Sequence, residues 1–479
     1  MRIHEAGVLH AEGYGGPPLY LPIPTDVMEL LPQLWPGSVS RDDAGRLTVG
    51  GVDVVTLAQE HGTAAYVLDE EDFRSRARDF RDSFSAAFEP LAGADVYYAG
   101  KAFLCTAVAR WVEEEGLSLD VCTGGELAVA QRVKFPGERI GFHGNNKSVA
   151  EIRTALTYGV GRIVVDSFQE IERIAVVAAE LGVLARVMVR VTVGVEAHTH
   201  EFIATGHEDQ KFGFSLAGGQ AFEAASRILA RPDVFELLGL HSHIGSQIFD
   251  TGGFEMAAHR LVALHARIAE EHGHHCPEID LGGGYGIAYT SQHTPLPAST
   301  LAGEMAGILE REFKAVGDGD LSTLPRVSIE PGRAIVGPST FTLYEVGTVK
   351  PVELGGGHTR TYVSVDGGMS DNARPALYEA DYSCTLANRR SEAGPMLSRV
   401  VGRHCESGDI VVLDEYLPAD VQPGDLIAVP GTGAYCRALS SQYNHTPRPP
   451  VVAVRGGRSR VLVRRETIED LLALDVADA

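Results

Sequence analysis

RIVVDSFQEIERIAVVAAELGVLARVMVRV, residues 162–191, holds one complete structural unit. Its first four residues are a short β-branched run, and Asp166 and Ser167 form a polar turn behind it. From Phe168 to Leu181 apolar residues recur at helical spacing, with Ser167 placed as an N-cap, and residues 185–191 begin the next strand. The same alternation runs from about Asp95 to Gly332. It predicts further strands at 96–99, 117–121, 139–142, 237–241, 278–281 and 326–329, and helices at 104–115, 148–158 and 253–272. Eight strands of this kind predict a closed (β/α)8 TIM-type barrel.

Beyond residue 338 the grammar changes. Extended segments at 340–348, 361–365, 409–413, 426–429, 451–454 and 459–463 alternate with Gly-, Pro- and Asp-rich turns, which predicts a β-rich domain. Residues 46–55 and 64–67 also read as strands behind a Pro/Gly-rich leader and are assigned to that domain. The expected division is a barrel over 76–337 and a second, β-rich domain formed by the N- and C-terminal segments, 1–75 and 338–479.

At ~100–200 residues per domain, 479 residues allow two to four domains. Hydrophobic residues at 44% and charged residues at 22% lie near the globular average, which excludes disordered, collagen-like and coiled-coil classes. The 41 basic and 64 acidic side chains leave a formal charge of -23, a surface that repels phosphate backbones and anionic lipid. Neither nucleic acid nor membrane is expected as a partner. The six cysteines contain no C-x-x-C pair, and a chain this long needs no disulfide framework, which fits a reducing compartment. The start at Met1 lacks a basic stretch followed by an apolar one, and residues 174–195 are interrupted by Glu180, Arg186 and Arg190. A cytoplasmic protein is expected.

A barrel of this type carries its chemistry at the C-terminal ends of its strands. There the sequence sets Lys101, Asp120, His143 with Asn145, Asp166, His243 with Ser246, the glycines 282–284, and Glu330 with Arg333. Lys101 follows the first strand, where it is either an ordinary solvated lysine or a Schiff-base nucleophile whose amine is freed by desolvation. The three glycines offer successive N–H groups to a phosphate, but the segment departs from G-x-G-x-x-G, so no dinucleotide is expected. His241 and His243 are read as pointing to opposite sides of one strand, so that one of them is structural. Glu330 and Arg333 suit either a buried ion pair or a cofactor contact. The histidines at 198, 200 and 272–275 lack metal-ligand spacing, and no metal is assigned.

The motifs YAGKAF (98–103), HGNNKS (143–148), HSHIGSQ (241–247), GGG (282–284) and EPGR (330–333) together resemble the fold-type III pyridoxal-phosphate-dependent decarboxylases. DGGMSDNARP (366–375), CESGD (405–409) and GAY (433–435) narrow the resemblance to the diaminopimelate decarboxylase family, and the leader before Val52 resembles its actinobacterial branch. The resemblance implies decarboxylation of meso-2,6-diaminopimelate to L-lysine and carbon dioxide, the last step of lysine biosynthesis, with pyridoxal 5'-phosphate as cofactor. It implies that Lys101 holds the cofactor, His243 stacks on its ring and Glu330 bonds the ring nitrogen. Ser246, Gly284, Pro331, Gly332, Arg333 and Tyr435 would surround the phosphate. Arg333, Arg374, Tyr378, Glu406 and Tyr435 would bind substrate, with Cys405, or a water it positions, as proton donor. Cys405 and Glu406 would reach the partner's active site, making the enzyme an obligate homodimer. Where the family often reads Asn-Pro-Gly-Val and Asp-Ser-Lys-Phe-Gly, this chain has TVGV (192–195) and DQKFG (209–213).

Two other functions compete with this one. A decarboxylase of ornithine, lysine or a specialised-pathway amino acid would meet a distal ammonium with aspartate, whereas Arg374 and Arg333 suit a distal carboxylate. A catalytically inactive homologue acting as a binding partner would have lost Lys101 or Cys405, and both are present.

Overall fold

The stretch 162–191 folds as its pattern dictates. The computed structural model describes residues 18, 21–195, 211–317, 321–354 and 358–476. In it Arg162–Val165 is a strand buried along its whole length, and Phe168–Leu181 is a helix. Ser167 accepts from the Glu170 N–H at its start, and Gly182, at φ 65°, ends it in the left-handed conformation that glycine adopts without strain. Ile171, Ile174, Ala175 and Ala178 form the face that the helix buries.

Repetition of this unit builds β1 (Ala94–Ala99), β2 (Ser118–Val121), β3 (Ile140–Phe142), β4 (Arg162–Val165), β5 (Ala185–Thr192), β6 (Phe235–His241), β7 (Glu278–Asp280) and β8 (Arg326–Ile329). Each pairs in parallel with its neighbours, and β8 returns to β1 with Val327 opposite Ala94 and Ile329 opposite Val96. The eight-stranded parallel barrel predicted from the sequence is therefore closed. A short strand, Phe214–Ser215, pairs in parallel with the C-terminal end of β5 at Val191 and Thr192.

The chain divides into two compact units, Arg74–Gly286 with Pro295–Ala334, and Met1–Phe73 with Ile287–Thr294 and Ile335–Ala479. The first contains the barrel. In the second, Ala65–Asp69 pairs antiparallel with Thr340–Glu353 and parallel with Val451–Arg455, so an N-terminal strand lies inside a sheet built from the C-terminal half. Trp35 and Phe341, ring centroids 6.0 Å apart, pack in its core with Leu47, Val67 and Val452.

One local expectation fails, and one strand has no counterpart in the sequence reading. Residues 46–55 are not one strand: Leu47–Val49 and Val52–Asp53 form a tight antiparallel turn through Gly50 and Gly51, and Val54–His61 is helical. Asp53 explains the switch, because its carboxylate accepts from the Val55 and Thr56 N–H groups at 3.0 Å each and caps the helix. Pro395–Val401, which carries no clear alternation, is a strand paired with both Thr359–Val365 and Ile410–Pro418. Among the described residues no helix is long and apolar enough to cross a membrane.

Candidate active site

The turn after β1 is fixed by glycine. Gly100 donates its N–H to Asp120 O at 2.9 Å, and a Cβ at Gly100 would lie 2.7 Å from that same oxygen. Gly332 is equally confined, since a Cβ there would meet Ala99 O at 2.8 Å. Lys101 leaves this clamped turn with an exposed side chain, and its ammonium acts electrostatically on Cys122, Glu126 and His243.

Glu330, at the end of β8, lies buried among imidazoles. His241 Nε2 is 3.0 Å from its Oε1 and His143 Nε2 is 3.3 Å away, while Asp120 Oδ1 lies 3.1 Å from that same His143 nitrogen. Burial by itself would raise the Glu330 pKa, but His143 and His241 outweigh it and hold the carboxyl well below its usual range. Burial, with Glu330 as the next cause, pushes Asp120 up, and burial pushes His143 down to about 4.

The expectation that His241 and His243 face opposite sides is wrong. Residues two apart along a strand share a face. Both imidazoles act on Glu330, and His243 lies just past the end of β6. The Gly283 N–H donates to His243 Nδ1 at 3.2 Å, so the neutral ring carries its proton on Nε2. Burial first, and the Lys101 ammonium second, lower the His243 pKa well below its ordinary value.

The glycine loop also differs from its reading as a row of anion-binding amides. The Gly282 N–H is used by Asp280 Oδ1 at 2.7 Å and the Gly283 N–H by His243. Close packing requires these glycines: a Cβ at Gly283 would lie 2.2 Å from Glu330 O, and one at Gly284, φ +109°, 2.4 Å from Gly245 O. Beside this loop Arg333 Nη2 donates to Ser246 Oγ at 2.7 Å, and the Ala99 N–H donates to Pro331 O at 3.4 Å. An amine, a buried carboxyl held well below its usual range, an imidazole and a hydroxyl–guanidinium pair thus gather at one end of the barrel. This donor set fits pyridoxal phosphate: Glu330 would accept a hydrogen bond from the protonated ring nitrogen, Ser246 and Arg333 would donate to the phosphate, and Lys101 would supply the amine.

Among the described residues the one His/carboxylate grouping compact enough for a metal ion is His143, His241 and Glu330, with ligand atoms within 4.8 Å of one another. It is the carboxylate pocket just described. The histidines at 198 and 200, and Asp209 and Gln210 of the divergent loop, lie outside the described residues. The described end of that loop is tied down, with the Gly213 N–H on Asp166 Oδ1 at 2.6 Å and Thr192 Oγ1 on Phe212 O at 2.6 Å.

In the β-rich unit Arg374 opens the five-residue helix Arg374–Tyr378 and is buried, donating from Nη1 to Tyr382 Oη at 2.6 Å. Tyr378, at the end of that helix, is half-buried. Cys405 is exposed on a turn whose backbone is held by Asp409: the carboxylate accepts from the His404 and Met369 N–H groups at 2.7 and 2.6 Å. Glu406 is half-buried beside it. Tyr435, in GAY, has φ +67°, a backbone conformation rare for a side chain of its size, and it is anchored by Gly433, where a Cβ would overlap Val336 O.

Sequence reasoning underrated three groups. His143 and Asp120 appeared only as polar strand-end residues, yet His143 helps set the charge of Glu330 and lies 3.1 Å from Asp120. Tyr382 had no periodic signal and emerges only as the partner of Arg374.

Residues 71–337 match the family described as pyridoxal-dependent decarboxylase, pyridoxal binding domain. The chain is 54% identical over 458 residues to a diaminopimelate decarboxylase of Mycobacterium tuberculosis, covering 94% of this chain and 99% of that protein. It is 51% identical over 485 residues to the corresponding protein of Mycobacterium leprae, covering 99% and 100%. A crystal structure of diaminopimelate decarboxylase from M. jannaschii with L-lysine superposes with a TM-score of 0.84 at 29% identity, covering 93% of this chain and 99% of that one.

Proposed function

The chain belongs to the diaminopimelate decarboxylase family, whose reaction takes meso-2,6-diaminopimelate to L-lysine and carbon dioxide with pyridoxal phosphate, and we propose that Lys101, Glu330 and Cys405 carry that chemistry here. The observation that carries this assignment is the Glu330 carboxylate, buried against the His241 and His143 imidazoles at 3.0 and 3.3 Å at the same barrel end as Lys101. When bound, pyridoxal phosphate supplies a π system that accepts the electron pair of the broken Cα–carboxylate bond. Lys101 anchors that group through Nζ. Glu330 keeps a proton on the ring nitrogen, and His243 covers the ring with a neutral imidazole. Ser246, Gly284, Tyr435 and the turn Pro331, Gly332, Arg333 surround the phosphate. Arg374, with Arg333, Tyr378 and Glu406, holds the distal end of the substrate. Cys405 returns a proton to the carbon that lost its carboxylate.

The working unit in this proposal is a homodimer in which Cys405 and Glu406 complete the partner's site, with the barrel over 76–337 and the β-rich domain over 1–75 and 338–479. The exposure of Cys405 on a stiff turn supports it. None of the six cysteines forms a disulfide, which supports a cytoplasmic location.

Glu330→Gln is expected to fold and retain the cofactor while kcat falls on the order of 100-fold, because a neutral amide no longer stabilises the ring-nitrogen proton as charge develops. A Glu330 that served folding alone would lower the melting temperature and leave the rate of the folded fraction near wild type.

The assay that tests the substrate is carbon dioxide release across meso-diaminopimelate, lysine, ornithine and arginine. Wild type is expected to prefer the diacid strongly, and Arg374→Ala to raise its KM about 100-fold, since a buried guanidinium without a distal carboxylate discriminates sharply. Faster turnover of lysine or ornithine would replace the diacid as substrate.

A further inference from the structure

Arg374 is a buried cation without a carboxylate partner. Its side chain is 4% exposed, and among the described residues no Asp or Glu forms an ion pair with it. What surrounds it is aromatic: its guanidinium carbon lies 4.7 Å from the Tyr289 ring centroid and 5.7 Å from that of Tyr382, and these two rings meet edge to face at 5.0 Å. A protein that left a guanidinium in this position for stability alone would pair it, because an uncompensated buried charge costs several kcal/mol. Arene faces tolerate the cation without neutralising it.

The five-residue helix that carries Arg374 is too short to set the direction of a long side chain. Its orientation is set instead by a directed chain of hydrogen bonds. Arg374 Nη1 donates to Tyr382 Oη at 2.6 Å, so the phenol directs its own proton elsewhere, and Cys436 Sγ lies 3.6 Å away to accept it. Cys436 Sγ in turn donates to Asn372 Oδ1 at 3.4 Å, and the same amide oxygen accepts from the Arg374 N–H at 3.4 Å. The chain closes on the backbone of the residue whose side chain it aims. Tyr382, Tyr289 and Cys436 are each no more than 3% exposed, so this ring of contacts is shielded from water.

We propose that Tyr382 is a specificity-determining positioning residue: it fixes Arg374, against the Tyr289 face, in the orientation that receives the distal carboxylate of the substrate. The inference rests on the assignment of Arg374 to that carboxylate. It goes further in locating diacid selectivity in a phenol that touches no substrate.

Loss of one carboxylate from diaminopimelate leaves lysine, which keeps the distal carboxylate, whereas cadaverine has none. The holoenzyme carrying Tyr382→Phe keeps the ring and loses only the hydroxyl. Its KM for meso-diaminopimelate is expected to rise about tenfold, with kcat within about twofold of wild type. Competitive inhibition by L-lysine should weaken by a similar factor, and inhibition by cadaverine should not change. Cys436→Ala, which removes the acceptor of the phenol proton, should show the same selectivity on a smaller scale and serves if the first variant does not fold. Equal weakening for lysine and cadaverine, or no weakening for either, would overturn the inference. Arg374→Ala measured alongside separates the two levels. If it leaves KM unchanged, the assignment of Arg374 fails and takes the inference with it; if it raises KM while Tyr382→Phe does not, only the positioning role fails.

Discussion

Lys101→Ala is expected to lose decarboxylation by more than about a thousandfold while its melting temperature stays near wild type, because the reaction needs the amine and the fold does not. The turn that presents the lysine is held by backbone contacts: the Gly100 N–H to Asp120 O, and Gly332 packed on Ala99. The side chain itself is exposed, and exposed substitutions away from caps and strained backbone usually change stability by less than about 0.5 kcal/mol. The measurement that separates anchoring from mere proximity is mass spectrometry after borohydride reduction. Wild type should carry the cofactor mass on the peptide containing residue 101, and the variant should carry none. Recovery of a reduced adduct elsewhere would show that another lysine holds the cofactor, and retained activity would remove Lys101 from the chemistry altogether.

How far the site could be read before the fold was known depended on whether a residue's role is local. Ser167 and Gly182 bound a helix through their own backbone neighbours, so that helix was legible to the residue. Lys101 and Glu330 sit where strands end, and strand ends follow from the βα rhythm. The charge state of Glu330 does not: it depends on His143 just past β3 and His241 of β6, which meet β8 only because the barrel closes. The same holds below the site, where Arg162 donates to Asp280 Oδ2 at 2.5 Å and to Ser328 Oγ at 2.8 Å inside the barrel. In the sequence Arg162 looks like an exposed strand start; closure buries it. Tyr382 was invisible for a further reason. Its partner Arg374 lies eight positions earlier, with the end of a helix and a left-handed residue, Glu379, between them, a path that no periodic pattern encodes.

Cys405 poses the remaining question, because its own N–H is held by Asn444 Oδ1 at 3.3 Å and that of His404 before it by Asp409, while its thiol is exposed. If that thiol serves the partner's site, inactive variants should repair one another. Cys405→Ala and Lys101→Ala are each expected to be nearly inactive and folded, since neither side chain is buried. In a two-fold dimer the same interface is used twice, so a dimer of one chain of each kind holds one site with both residues intact and one with neither. Unfolding equal amounts together and reassembling them should make roughly half of the dimers mixed, and activity should return to about a quarter of wild type. A site built within one chain behaves differently: every site in the mixture then lacks either the lysine or the cysteine. Reassembled dimers shown by mass to be mixed, yet no more active than the separate variants, would rule out the shared site and leave Cys405 to act, if at all, within its own chain.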